Sequence, residues 1–153
     1  MIFSRNEVDE AWCNFMAVGD RDDWSGWADL HTEDGIWVET QFGTFKGREA
    51  IRAHILKVMA PIPMMYFPVE WRLIEGNRVV YYNWQVMPDP KGGDEVYRFG
   101  CITTLEYAGN GLFSFQEDLY NPREGEECLN RWVAAGGEFA AGGPVLTLRQ
   151  AKL

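Results

Sequence analysis

The stretch FSFQEDLYNP, Phe113 to Pro122, carries two acids side by side, Glu117 and Asp118. Side chains alternate along a strand, so the two should point to opposite faces. Phe113, Phe115, Glu117 and Leu119 share one face, which is apolar apart from Glu117; Ser114, Gln116, Asp118 and Tyr120 share the other. This pattern predicts Glu117 inside and Asp118 towards solvent. A carboxyl in apolar surroundings is pushed towards its neutral form, which suits it to general acid or base work near neutral pH. Other chemistries find little support. The chain has two histidines, His31 and His54, and three scattered cysteines, Cys13, Cys101 and Cys128. No CxxC or Cys/His spacing appears, so neither a metal site nor a disulfide framework is expected. GREAI lacks the Lys-Ser/Thr of a phosphate loop, and there is no GxSxG nucleophile elbow. What remains is acid–base chemistry without a cofactor.

The elements that must position these groups follow from periodicity. Ser4 and Glu7 form a possible capping box for a first helix, along which Val8, Ala11, Trp12, Phe15, Val18 and Gly19 recur at helical spacing. Asp22 or Asp23 can cap a short second helix carrying Trp24, Trp27, Ala28 and Leu30, which TEDG ends; His31 at its close suits the helix dipole. IWVETQF reads as a strand and REAIRAHILKVM as a helix that APIP stops. VEWRLIEGNRVVYYNWQVM reads as two strands around EGN, and EVYRFGCITTLEYAGNGLFSFQEDLY as a hairpin around AGNG. Asn121 and Pro122 open a further helix, and a Gly- and Ala-rich tail follows. Helices first and then long antiparallel strands make an α+β layout, a curved sheet with helices on one face.

A length of 153 residues suits a single domain with a real core, a folded body over about 4–121 and a C-terminal helix and tail over 122–153. The net charge of −9 disfavours nucleic acid and anionic membranes as partners. MIFSRNEVDE lacks the pattern of a signal peptide and no apolar run approaches a membrane span, so a cytoplasmic location is expected.

The run DWSGWADLHTEDGIWVETQFGTFKGREAI, together with the late hairpin TTLEYAGNGLFSFQ, resembles the nuclear transport factor 2-like superfamily, especially its SnoaL-like polyketide cyclase and ketosteroid isomerase branches. The resemblance covers about three quarters of the chain. It implies a cone: a bent sheet wrapped around helices, with a deep apolar pocket and often a homodimeric assembly. Function varies widely on this fold.

Alternation assigns the pocket of that cone. Phe99, Cys101, Thr103 and Leu105 oppose Arg98, Gly100, Thr104 and Glu106; Tyr82, Trp84 and Val86 oppose Tyr81, Asn83 and Gln85. The expected ligand contacts are Trp12, Phe15, Trp27, Met65, Tyr82, Trp84, Phe99, Cys101, Thr103, Phe115 and Leu119. Tyr81, Asn83, Gln85 and Tyr120 would lie outside, on a dimer face. Met64 and Met65 in APIPMMYFP suit a flexible lid, beside which Tyr66 offers a hydroxyl.

Likeness to particular branches adds catalytic candidates. Ketosteroid isomerases carry an acid near the end of the first strand, where Glu39 or Thr40 falls; Ile36, Val38 and Thr40 make the more apolar face, which would turn Glu39 outward. The Tyr and Asp that hold an enolate there are matched by Phe15 and Thr103, so that mechanism is not expected. DRDDW resembles the Asp-x-x-Asp-Trp of scytalone-dehydratase-like members and places Asp20 at the acid. Their partner His is matched by Met65 or Tyr66, and His54 could supply a replacement imidazole. The expected catalytic set is Glu117 with Asp20, His54 and Tyr66. Two functions stay open: a cofactor-free dehydratase, isomerase or cyclase acting on a small apolar molecule, polycyclic ones included, or a non-catalytic binding or assembly module.

Overall fold

The computed structural model describes residues 2–141. Helix α1 (Arg5–Asp20) starts at Ser4, whose side chain accepts from the Glu7 amide. Helix α2 (Trp24–Asp29) is capped by Asp23, which accepts from the Gly26 amide. β1 (His31–Glu39) and β2 (Gly43–Lys46) precede α3 (Arg48–Met59); then come β3 (Val69–Glu75), β4 (Arg78–Met87), β5 (Tyr97–Gly109), β6 (Leu112–Tyr120) and α4 (Pro122–Ala134). TEDG therefore belongs to β1 and not to the end of a helix: the strand begins at His31, which pairs with Phe113. The Gly/Ala-rich tail beyond 141 lies outside the described residues.

The strands form one sheet in the order β2-β1-β6-β5-β4-β3. All neighbours are antiparallel except β1 and β6, which run parallel. This is the expected α+β layout: a curved, unclosed, mainly antiparallel sheet wrapped around the N-terminal helices, with α4 as an added C-terminal helix. The buried faces of α1, α2 and α3 pack Val8, Phe15, Trp27, Ala28, Ile51 and Ile55 against the inner sheet face, where Trp37, Tyr81, Leu105 and Phe113 lie.

Three strands face the opposite way from expectation, and β6 shows why. Its hairpin with β5 turns through Asn110 and Gly111, both at positive φ, as a two-residue turn requires. Tyr107 then pairs with Phe113 but Glu106 with Phe115, so Ser114 is an extra residue, a β-bulge. The bulge flips the phase. Phe113 is fully buried, and beyond Ser114 it is Gln116, Asp118 and Tyr120 that turn inward. Glu117 lies on the outer face, opposite Val38 and Thr104, and Leu119 is 52% exposed. In β1, Trp37 and Glu39 turn inward in register with Gln116 and Asp118, so Glu39 is buried and not outward. In β4, Tyr81, Asn83 and Gln85 face the interior, opposite Thr103, Cys101 and Phe99. They are therefore not on the outer face expected of them, and neither is Tyr120.

Candidate active site

The concave side of the sheet, α1, α2, α3 and α4 enclose a cavity of about 420 Å³. Aromatic rings make most of its wall: Phe15 from α1, Trp24 and Trp27 from α2, Trp37 from β1, and Phe99 from β5. The polar groups gather along the inner face of β1, β6, β5 and β4.

Asp118 is the centre of that polar strip. Trp37 Nε1–H and Gln116 Nε2–H donate to its Oδ2 at 2.7 and 2.9 Å, and the Thr103 hydroxyl donates to Oδ1 at 2.7 Å. Burial raises its proton affinity above that of an ordinary Asp; the three donors pull the other way, and the nearby Glu117 charge adds to the rise. Glu39, in register with Asp118, has a carboxyl also raised by burial. Its Oε2 accepts from the amides of Gln41 and Phe42 at 2.9 and 2.7 Å. The Tyr120 hydroxyl lies beside this carboxylate and donates to Gln41 Oε1 at 3.4 Å. Burial pushes the Tyr120 and Tyr81 hydroxyls and the Cys101 thiol up, so all three stay protonated at neutral pH. Asp118 retains partial exposure, whereas Glu39 is only 7% exposed, so Asp118 is the acid a ligand reaches more easily.

His54 in α3 lines the cavity in an aromatic nest. Its ring stacks on Phe45 at 3.8 Å and meets Trp37 and Phe42 edge-on. Burial, helped by Lys57, lowers its pKa to about 4, so the imidazole is neutral at pH 7. Among the described residues, its Nε2 and the Nε2 of Gln41 are buried without a hydrogen-bond partner. His31 also lies deep in the core, between Phe15 and Trp27, with Nε2 3.1 Å from Gln116 Oε1.

Of the residues picked from sequence, Phe15, Trp27, Met65, Phe99, Cys101, Thr103 and His54 line the cavity, and Asp20 stands exposed at its rim. Several do not. Glu117 is on the outer face because of the Ser114 bulge, which also turns Phe115 and Leu119 away. Trp12 is buried beside the cavity, edge-on to Tyr81 and under the Arg72 guanidinium. Tyr82 and Trp84 lie on the outer face of β4: Tyr82 stacks on Trp71, and Trp84 donates to Glu70 beneath Arg98. Tyr66 is 50% exposed and borders a separate, smaller pocket. Asp118, Trp37 and Gln116 were missed; Glu39, raised by the likeness to ketosteroid isomerases, was expected to face outward. The legible hint was Asp118 within two residues of a Gln, opposite a strand that carries Trp and Glu at the same spacing. Among the described residues, no three His, Cys, Asp or Glu side chains converge as a metal-ligand set, and no helix is long and apolar enough to cross a membrane.

A helix-filled, bent sheet whose concave face carries a buried carboxyl in an aromatic cavity defines the class, an NTF2-like cone. The SnoaL-like domain model matches residues 12–113, and the chain belongs to that family. No curated protein matches it in sequence. Solved structures share the fold at low identity. TerC, co-crystallised with polyporic acid, superposes with a TM-score of 0.67 at 18% identity, over 81% of this chain and 98% of TerC. An NTF2-like protein of unknown function from Burkholderia pseudomallei gives 0.65 at 17%, over 79% of this chain and 94% of its own. An LEH-like epoxide hydrolase from M. tuberculosis gives 0.65 at 15%, over 85% and 94%.

Proposed function

We propose that this protein is a cofactor-free acid–base enzyme, of the lyase, isomerase or cyclase type, that acts on a small apolar, polycyclic-sized molecule held in the cone. The observation that carries this reading is Asp118: a part-exposed carboxyl in an aromatic cavity, oriented by three donors from three strands. Trp37 and Gln116 hold Oδ2, while Oδ1 takes one bond from Thr103 and keeps a lone pair for a proton from substrate. A base must be ionised to act, yet needs appreciable proton affinity; burial supplies the second and the donors the first. Aromatic walls exclude bulk water and offer flat faces for ring stacking. Neutral His54 contributes wall and not charge. Asp20, at the rim, acts only on a group that stays near the mouth, and Tyr66 lies too far outside to take part.

Of the solved structures named above, TerC was co-crystallised with polyporic acid and the M. tuberculosis protein is an LEH-like epoxide hydrolase, which motivates the choice of test compounds. Turnover is assayed on polyporic acid, cyclic epoxides and cyclic enones, with wild type and Asp118→Asn compared. General-base catalysis predicts a loss of about 10²–10⁴-fold in kcat with the folded near-UV spectrum unchanged. Full activity in Asp118→Asn removes Asp118 from the mechanism.

One observation favours a second reading, a binding module without catalysis: each Asp118 oxygen already has a partner within the protein. In that case wild type binds members of the panel without turnover, and Asp118→Asn leaves affinity within about twofold, as removing a merely structural charge would. A homodimer and a cytoplasmic location complete the proposal.

A further inference from the structure

Behind Asp118 runs a buried chain of hydrogen bonds with an ambiguous middle member. Gln116, 3% exposed, has its amide between two partners: Nε2 is 2.9 Å from Asp118 Oδ2, and Oε1 is 3.1 Å from His31 Nε2. The two ends of an amide have nearly the same shape and opposite hydrogen-bonding character. With NH2 towards Asp118, the amide stabilises the carboxylate. With the oxygen towards Asp118, the same geometry demands a protonated acid. What decides between them lies on the far side, at His31.

His31 is fully buried; Nε2 faces Gln116 Oε1 at 3.1 Å, and Nδ1 faces the Ala28 carbonyl at 3.3 Å, with the Trp27 carbonyl also against the ring. A neutral imidazole has one N–H and can satisfy one side. The Trp27 carbonyl already accepts from the Leu30 amide at 3.1 Å. Gln116 Oε1 is the closer acceptor, and no other donor to it stands among the described hydrogen bonds. The proton is therefore better placed on Nε2. Burial keeps the ring neutral: it lowers the proton affinity of His31, and Arg48, whose Nε donates to the His31 carbonyl at 2.8 Å, lowers it further.

We propose that His31 is a positioning residue for Asp118: its Nε2–H donates to Gln116 Oε1, holds the amide with NH2 towards Asp118, and so keeps that carboxyl ionised in an apolar cavity. The role deepens the reading of Asp118 as a base and rests on it for its catalytic meaning, while the relay itself stands on the hydrogen-bond geometry. The other groups facing Asp118 are Glu39 from β1, Tyr81 from β4, Cys101 and Thr103 from β5, and Tyr120 from β6; the Glu117 charge acts on it from the outer face. The ones facing His31 are the rings of Phe15 and Trp27 and the Arg48 guanidinium.

The test needs no substrate. Imidazole nitrogen NMR on the intact chain at pH 7 should show a neutral His31 protonated at Nε2; a ring protonated at Nδ1 overturns the proposal. Carbonyl-carbon NMR then follows the Asp118 titration. His31→Phe, which preserves the aromatic packing and removes the donor, should move the Asp118 midpoint up by about one pH unit, because a bond that favours the charged form is weakened. Gln116→Met should move it up at least as far. The two changes made together should add nothing to Gln116→Met alone, since His31 acts only through that amide. If His31→Phe leaves the midpoint in place while Gln116→Met raises it, or if the two effects add, His31 is not in the relay. The Gln116→Met comparison with wild type stands even if His31→Phe fails to fold; an unmoved midpoint there sinks the relay as well. Asp118→Asn with full turnover would remove the catalytic reading and leave these titrations untouched, so the two failures are separable.

Discussion

At the scale of single residues, the two acids that drew attention in FSFQEDLYNP change places. Glu117 sits in the outer, solvent-facing row, and Asp118 carries the perturbed environment. That environment has a consequence for stability. Asp118 and Glu39 bind protons more tightly folded than unfolded, because burial opposes their charge. Between the ordinary carboxylate value and the raised one, the folded state holds more protons, so stability falls as pH rises through that window. Urea unfolding of wild type against Asp118→Asn should show wild type losing ground from pH 4 upward; a difference that does not vary with pH would mean that the folded carboxyl titrates normally. His54 has the opposite sign. Its pKa falls from 6.5 to about 4, so the unfolded chain takes up a proton first as pH drops, and stability is lost below about pH 6.5. Between pH 7 and pH 4, wild type should lose on the order of 2 kcal/mol more than His54→Phe, which keeps the stack on Phe45 and cannot titrate. Equal losses in the same urea titrations would show that the ring is solvated.

At the scale of elements, the sequence was most legible where local chemistry is self-sufficient. Ser4, Asp23 and Asn121 cap α1, α2 and α4 as their types suggest. Asn110-Gly111 places the last hairpin to the residue. The faces of β6, β1 and β4 were not legible, for two physical reasons. Period-2 reading assumes an unbroken ladder, and Ser114 breaks it with no Gly or Pro to announce the bulge. It also assumes that the inner face is the more apolar one, whereas here the inner face carries Asn83, Gln85, Gln116 and Asp118, and the outer face carries Tyr82, Trp84 and Leu119. Helix α4 lies beyond the matched family region yet closes the cavity, contributing Leu129 and Gly125, the latter against the Phe99 ring. Trp132 anchors it, packing on Phe139 and donating to the Pro88 carbonyl at 2.8 Å. Trp132→Ala should cost about 3–5 kcal/mol in chemical denaturation. Asn121→Ala should cost about 1 kcal/mol, the usual worth of a cap. If Trp132→Ala proves as mild as the loss of that cap, α4 is not integral to the core.

At the scale of the whole molecule, the proposed homodimer would give the outward aromatics that misled the strand reading a use. Trp71, Tyr82, Ile102 and Leu119 pair across β3, β4, β5 and β6 and form one row on the outer sheet face. Trp71, Ile102 and Leu119 are each more than one third exposed, and Val80 and Leu73 extend the apolar surface in the neighbouring row, which Thr104 and Glu117 continue towards Val38. A contiguous apolar patch of this kind is what a self-complementary two-fold interface needs. The homodimer should therefore form through this row, and not through Tyr81, Asn83, Gln85 and Tyr120, which the cavity claims. Charge gives the prediction a second handle. Each chain carries −9, so two copies repel, and salt that screens this repulsion should tighten a dimer held by apolar contact. Sedimentation equilibrium at micromolar concentration should return twice the chain mass, with dissociation weakening from 50 to 500 mM salt. Leu119→Glu and Ile102→Glu, each placing a charge in the row, should return the monomer mass while leaving Asp118-dependent turnover of the monomer intact. A wild-type monomer at every salt concentration, or dimers that survive both substitutions, would place any assembly elsewhere.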